Sequence, residues 1–144
     1  MKEQNYSNHR RAHPPYHYFT LPVVFALMVI SIVYLISACR HDEVEWFDIF
    51  AVAASFFLLV IVALAREYTK KLQDRVIRME ENFRHYRLAG SPLDPALKLP
   101  QIVALRFAGD EEFLALCKRA VQENLKSTDI KKAIQKWRGD YARV

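Results

Sequence analysis

Two long apolar segments dominate the pattern of hydrophobic and polar positions along the chain. No charged residue occurs in residues 19–38 or in residues 49–65. About 20 consecutive apolar residues are enough for a helix to cross the hydrocarbon core of a membrane. The pattern therefore predicts an all-α membrane protein in which residues 19–38 and 46–65 span the membrane.

The connection between the two spans, residues 39–45, is short, polar and acidic. A loop of this length leaves room only for close antiparallel pairing, so residues 19–65 are predicted to form a transmembrane hairpin. The small residues Ala51, Ala54 and Ser55 give the second span a face suited to close helix packing. Either the first span or a partner could pack on that face, and we favour packing of the first span within the hairpin.

Residues 66–89 continue the second span with strong helix formers and contain no Gly or Pro. We predict one helix of about 40 residues, whose second part is a cytoplasmic stalk over residues 66–89. Large apolar or aromatic residues recur in the stalk at spacings of 4, 4, 3, 4 and 3, which places them on one helix face. This face, the apolar stripe, consists of Tyr68, Leu72, Val76, Met79, Phe83 and Tyr86. The stripe needs a cover, which could be the terminal helices, a second copy or another protein.

Residues 90–144 are predicted to form a small cytoplasmic subdomain of three short helices. Residues 90–92, Gly-Ser-Pro, end the stalk. The first helix opens with Pro100, the second starts at residues 109–112 with acids in its first turn, and the third has Ser127 as its N-cap. The apolar face of the third helix consists of Ile130, Ile134, Trp137 and Tyr141.

These three helices must share a core, because isolated helices shorter than about 12–15 residues are marginal in water. We expect this face of the third helix to make the largest contribution to that core, with Trp137 packed against the other two helices. The residues against which Trp137 is expected to pack are Ile102, Leu105, Phe113 and Leu116.

The distribution of Lys and Arg predicts the orientation in the membrane. Residues 1–18, a basic N-terminal segment, contain three of these residues, the loop 39–45 contains one, and residues 66–78 contain five. Because positively charged flanks stay in the cytoplasm, both termini are predicted to be cytoplasmic. The cluster next to the second span is expected to contact lipid headgroups; it consists of Arg66, Lys70, Lys71, Arg75 and Arg78. Acidic residues interrupt it, which argues against nucleic acid as a ligand.

Three candidate sites each have a simpler interpretation. Residues 36–39, Ile-Ser-Ala-Cys, resemble a lipoprotein cleavage box, but the preceding apolar run is longer than the roughly 7–15 residues of a signal peptide. His9, His13 and His17 are spaced by four, but the prolines at 14 and 15 break that face and no further ligand completes a metal set. Glu81 can pair with the nearby Arg84 or His85 on what we expect to be a solvated helix face.

No arrangement of residues in the sequence meets the minimum for catalysis, and neither a cofactor nor a metal is expected. Within the spans, residues 19–38 and 49–65 contain no Asp, Glu, Lys, Arg or His, and Asp48 stands at the edge of the second span, which argues against a transporter or pump. The sequence therefore favours a non-enzymatic, membrane-anchored binding or assembly subunit. The alternative is an accessory subunit of a larger membrane transport or enzyme complex. The expected partners are membrane lipids and either another protein or a second copy of the chain.

Several stretches resemble an uncharacterised family of small, two-span bacterial membrane proteins of unknown function. They are the opening Gln4-Asn5-Tyr6-x-Asn8-His9-x-Arg11 and residues 80–88, 93–95, 104–113 and 130–138, together with the two spans. The resemblance implies a bacterial inner (plasma) membrane location and transfers no site residue.

The orientation is tested with reporter fusions that are active only outside the cytoplasm. A reporter after Val144 should be silent, whereas one inserted in the loop 39–45 should be active, because the basic flanks hold both termini inside. Activity of the C-terminal fusion would reverse the predicted orientation.

Overall fold

The computed structural model describes residues 5–6 and 14–140. In that part of the chain, helices are the only secondary structure longer than an isolated β-bridge. The α-helices are α1 (Leu21–His41), α2 (Trp46–Ala89), α3 (Leu99–Leu105), α4 (Asp110–Gln122) and α5 (Ser127–Ala133). A π-helical turn, Pro15–Thr20, leads directly into α1. The predicted all-α class is confirmed. His9, His13, Tyr141 and most of the opening motif lie outside the described residues.

Two helical stretches, Pro15–His41 and Trp46–Ala89, are long and apolar enough to cross a membrane. In the most apolar window of each, only 11% and 6% of the residues are buried. The described chain divides into two compact units: residues 14–69 form one, and residues 70–140 together with residues 5–6 form the other, so the division falls between Thr69 and Lys70, within α2. We call them the N-terminal and the C-terminal unit.

In the N-terminal unit, α1 and α2 are joined by a tight turn. Asp42 ends α1 in the left-handed conformation, with φ of 54°, and the backbone N–H of Glu43 donates to the carbonyl of Ala38 at 3.0 Å. The carboxylate of Asp48 then accepts a hydrogen bond of 3.0 Å from the N–H of Glu45, which caps the start of α2. The backbone N–H groups at both ends of the turn therefore find their hydrogen-bond acceptors in the adjoining helix ends.

A serine pair joins α1 to α2. The hydroxyls of Ser31 and Ser55 share a hydrogen bond of 3.0 Å, and Ser55 is buried. A groove of about 520 Å³ lies beside this pair, and Ala51 and Ala54 line it. The small-residue face of α2 is thus in contact with α1 at Ser55.

The C-terminal unit has its core around α3, α4 and α5. Fully buried side chains at its centre are Leu105, Phe107, Phe113 and Ile130. Gln101 ties the helices together, because its amide donates to the carbonyls of Ala120 and Leu125 at 3.2 and 2.9 Å. Gly90, with φ of 69°, ends α2 in the left-handed conformation that glycine adopts without strain.

The prediction for the last helix is wrong in its extent. α5 ends at Ala133, and Ile134 already has extended backbone, with φ of −67° and ψ of 123°. Lys126 rather than Ser127 is the N-cap residue. Trp137 lies in an extended segment that pairs antiparallel with Ala108. Its ring contacts that of Phe107, with 5.3 Å between the ring centroids, and it is only partly buried.

Hydrogen bonds to distant residues explain why the helix stops. The carboxylate of Glu112 accepts the N–H groups of Gln135 and Lys136 at 3.1 and 3.0 Å. The backbone of residues 136 and 138 bonds to that of residues 109 and 107 at 2.9 and 2.7 Å. These acceptors and donors replace the helical hydrogen bonds that the 4, 3, 4 spacing of apolar residues predicts.

Phe107 and Trp137 should therefore differ in their contribution to stability. Phe107→Ala removes a side chain that is 1% exposed and should lower the free energy of unfolding by about 3–5 kcal/mol. Trp137→Ala should cost clearly less, because its side chain is only partly buried. Limited proteolysis of the full-length protein in detergent, followed at cleavage near residue 90, measures the difference. Equal losses would mean that Trp137 is as much a core residue as Phe107, as the helical pattern predicted.

Candidate functional site on two faces of helix α2

The part of α2 in the C-terminal unit has one buried face. Ile77, Glu81, Arg84 and Leu88 are buried or partly buried and follow one another at spacings of 4, 3 and 4. Such spacing places them on one side of a helix. The two central residues of this covered face are charged, which is unusual because buried charges are costly unless they are paired.

Arg84 is the centre of the covered face, with only 4% of its surface exposed. Its Nε donates to Oδ1 of Asp110 at 2.7 Å, and its Nη2 donates to the carbonyl oxygen of Ala108 at 2.7 Å. Its Nη1 donates to Oε2 of Glu81 at 3.1 Å. The guanidinium carbon lies 4.2 Å from the centroid of the Phe113 ring. Every nitrogen of this buried cation therefore has an acceptor, and its face has a favourable aromatic contact.

The pKa values of the two carboxylates beside Arg84 shift in opposite directions. The hydrogen bond from Arg84 lowers the pKa of Asp110, which is half exposed at the first turn of α4. Burial raises the pKa of Glu81, although the Arg84 charge and hydrogen bond act in the opposite direction. The desolvated Glu81 carboxylate thus depends on Arg84 to remain inside the protein.

The expectation of a solvated face at Glu81 is wrong, since Glu81 is 4% exposed. Of the two candidate partners, Arg84 pairs with it, whereas Nδ1 of His85 is 2.7 Å from the carbonyl oxygen of Ser91. Sequence reasoning missed the burial because Ala108 and Asp110 lie 24 and 26 residues beyond Arg84. A charged pair three residues apart is typical of exposed helices and gives no signal of burial.

Two open clefts border the covered face, with volumes of about 400 and 540 Å³. Arg87 and Arg138 line both of them. Acidic side chains offset these cations: Arg87 is 3.5 Å from Asp110, and Arg138 is 3.9 Å from Glu81. In residues 5–6 and 14–140, no group of three or more His, Cys, Asp or Glu is placed to hold a metal ion.

The apolar stripe lies on the opposite side of α2 and is exposed. Its six side chains are between 45% and 71% exposed, with Met79 and Phe83 at the upper limit. At 100° per residue, the centre of the stripe is about 150° around the helix from the covered face. The helices that follow α2 therefore do not cover the stripe, which was one of the covers that the sequence left open.

The basic cluster lies along the stretch of α2 where the apolar stripe begins. Lys70, Lys71, Arg75 and Arg78 are exposed, whereas Arg66 is partly buried. The guanidinium carbon of Arg66 lies 5.3 Å from the centroid of the Tyr16 ring, a cation–π contact within the N-terminal unit.

Removing Arg84 should be far more costly than removing a neighbouring surface arginine. Arg84→Ala leaves Glu81 buried without its partner and should lower the free energy of unfolding by about 3–5 kcal/mol. Combining Arg84→Met with Glu81→Leu should restore most of this loss, because both charges of the buried pair are then removed together. Arg87→Ala, at a side chain 62% exposed, is the control and should cost less than about 1 kcal/mol.

Urea unfolding of the purified full-length protein in detergent measures all these variants. If Arg84→Ala were as mild as Arg87→Ala, the buried ion pair would not hold α2 against α4.

Comparison with known proteins gives one match. A family model described as a family of unknown function matches residues 1–144. No curated protein and no solved structure matches the chain. The resemblance to an uncharacterised family is confirmed to that extent. Because the match covers the entire chain, the protein belongs to the Family of unknown function (DUF6526).

Proposed function

We propose that this protein is a non-enzymatic, membrane-anchored binding or assembly subunit of a bacterial inner membrane. In this proposal α1 and the first part of α2 form a transmembrane hairpin. The C-terminal unit lies in the cytoplasm and presents the apolar stripe to a protein partner. The observation that carries the proposal is that α2 buries the ion pair of Glu81 and Arg84 on one face and leaves the apolar stripe on the opposite face exposed.

The exposed side chains of the N-terminal unit support the membrane placement. Phe25, Ile30, Phe56 and Phe57, for example, are all more than half exposed. Apolar surface costs about 25 cal/mol per Å² in water, which favours a lipid environment for two helices of this composition. The acidic loop at one end and the basic cluster at the other support an orientation with both termini in the cytoplasm.

The apolar stripe supports binding rather than lipid contact alone. Its residues alternate along α2 with Lys71, Asp74, Arg75 and Glu80, so the helix is amphipathic and suited to water on its other sides. A continuous exposed apolar patch rimmed by charged residues is typical of protein interaction sites. The partner of the stripe is therefore expected to be a protein surface with complementary apolar side chains.

The alternative, an accessory subunit of a larger membrane transport or enzyme complex, depends on a different surface. The apolar groove between α1 and α2, lined by residues such as Leu27, Ile30 and Leu58, would then receive a helix or a lipid chain of the complex. In that case the contacts with the partner would lie in the membrane, and changes in the stripe would leave them intact.

Two glutamates in the stripe test the proposal. Leu72→Glu combined with Met79→Glu should abolish the association seen after purification in mild detergent, because burying two carboxylates in an apolar contact costs several kcal/mol. Lys71→Glu combined with Arg78→Glu is the control. It has the same spacing and a larger change in charge, but it leaves the stripe intact.

Light scattering on the eluted complex and mass spectrometry of co-eluting proteins measure the association. Loss of the complex in the stripe variant, with the control unchanged, supports the proposal. An association that survives both double substitutions would contradict it and favour contacts through the spans.

A further inference from the structure

The apolar stripe has the repeat of a coiled coil. From Leu72 to Tyr86 its residues are spaced 4, 3, 4 and 3, an average of 3.5 residues. In a heptad labelled a to g, Val76 and Phe83 then occupy a positions. Leu72, Met79 and Tyr86 occupy d positions. A period of 3.5 keeps such a seam facing a partner helix, whereas residues packed against a globular core follow a period near 3.6.

Charged residues flank the seam in a complementary arrangement. Arg75 is at a g position, and Glu80 is at the e position of the next heptad. In a parallel pair of helices, a g residue lies beside the e residue five positions later in the partner. Self-pairing therefore places Arg75 of each copy beside Glu80 of the other, so that the attraction occurs twice.

The C-terminal unit leaves this seam open. The residues of its covered face, Ile77, Glu81, Arg84 and Leu88, are at b and f positions, on the far side of the helix from a and d. The loop after α2 reaches the g position of Asn82, whose side chain accepts a hydrogen bond of 2.9 Å from Leu93. Phe83 and Tyr86 nevertheless stay 71% and 58% exposed.

We infer that a second copy of this chain covers the apolar stripe, forming a parallel, in-register two-stranded coiled coil over residues 72–86. The inference rests on the proposed function, because two copies inserted with the same orientation have parallel α2 helices. Two heptads are too short to associate on their own in water. Confinement of both helices to one membrane raises their effective concentration, which compensates for the small contact.

Cysteine cross-linking in membranes tests the register. Single cysteines replace Val76, Met79 and Phe83 in the seam, with Arg78→Cys and Lys71→Cys at c positions as controls. The exposed Cys39 is replaced by Ser in all variants. Cys117 is kept, because it is buried and burial raises the pKa of its thiol to about 12.

Each seam variant should form a disulfide with its own copy at least about fivefold faster than the controls, because only a and d positions bring identical residues within bonding distance. Fast cross-linking between two different positions, with none between identical ones, would indicate antiparallel helices and overturn the inference.

Charge exchange tests self-association through Arg75 and Glu80. Arg75→Glu and Glu80→Arg, each expressed alone, should weaken the dimer about tenfold, because like charges then face each other twice. Two differently tagged chains, one with each substitution, should pair when expressed together, since each mixed contact joins opposite charges. The chain with both substitutions should also regain the dimer. If mixed and unmixed pairs formed equally well, these residues would not face each other.

These tests separate this inference from the proposed function. If cross-linking shows no seam pattern while the stripe glutamates still release another protein, the binding function stands and the partner is not a second copy. If the glutamates in the stripe release no associated chain or protein, the proposed function is contradicted, and the inference that rests on it is contradicted as well. A seam pattern together with recovery by charge exchange supports both.

Discussion

The C-terminal unit depends on the contacts of one buried cation, Arg84. Its donors reach acceptors from two other parts of the chain, the carbonyl of Ala108 and the carboxylate of Asp110, while Glu81 of the same helix neutralises it. A buried guanidinium without these acceptors would cost several kcal/mol. Because one helical turn rises about 5.4 Å, sliding α2 by a turn would break every one of these bonds. Arg84 therefore sets the register of α2 against the helices that follow it.

That register has a consequence for the rest of α2. A helix that packs on a globular core normally turns its apolar face inward. Here the covered face contains Glu81 and Arg84, and the apolar stripe from Leu72 to Tyr86 remains exposed. The charged interior is tolerated only because its hydrogen bonds are satisfied. The exposed stripe is the reason to propose a binding role, since nothing in the described C-terminal unit buries it.

The proposed binding role is based on the character of the clefts and grooves among the described residues. The clefts beside Arg84 have cations and carboxylates in close proximity, and the contacts of Arg87 and Arg138 are with acidic residues of the same unit. The groove between α1 and α2 is apolar, apart from features such as the serine pair at Ser31 and Ser55. Helix pairing and lipid contact are the roles that we propose for these surfaces, and the matching family is one of unknown function.

The sequence by itself determined the helical class, the two apolar helices long enough to cross a membrane, and the stripe, because these depend on local composition and on a repeat within one helix. It did not reveal the burial of Glu81 and Arg84, since their partners at residues 108 and 110 are distant along the chain. The same limit explains the end of α5. The spacing from Ile130 to Trp137 is helical, but Glu112 and the backbone of residues 107–109 bind the segment in extended form. Only the tertiary structure decides such cases, because a helical hydrogen bond and a long-range one satisfy the same backbone groups, and local sequence does not show which acceptor is nearer.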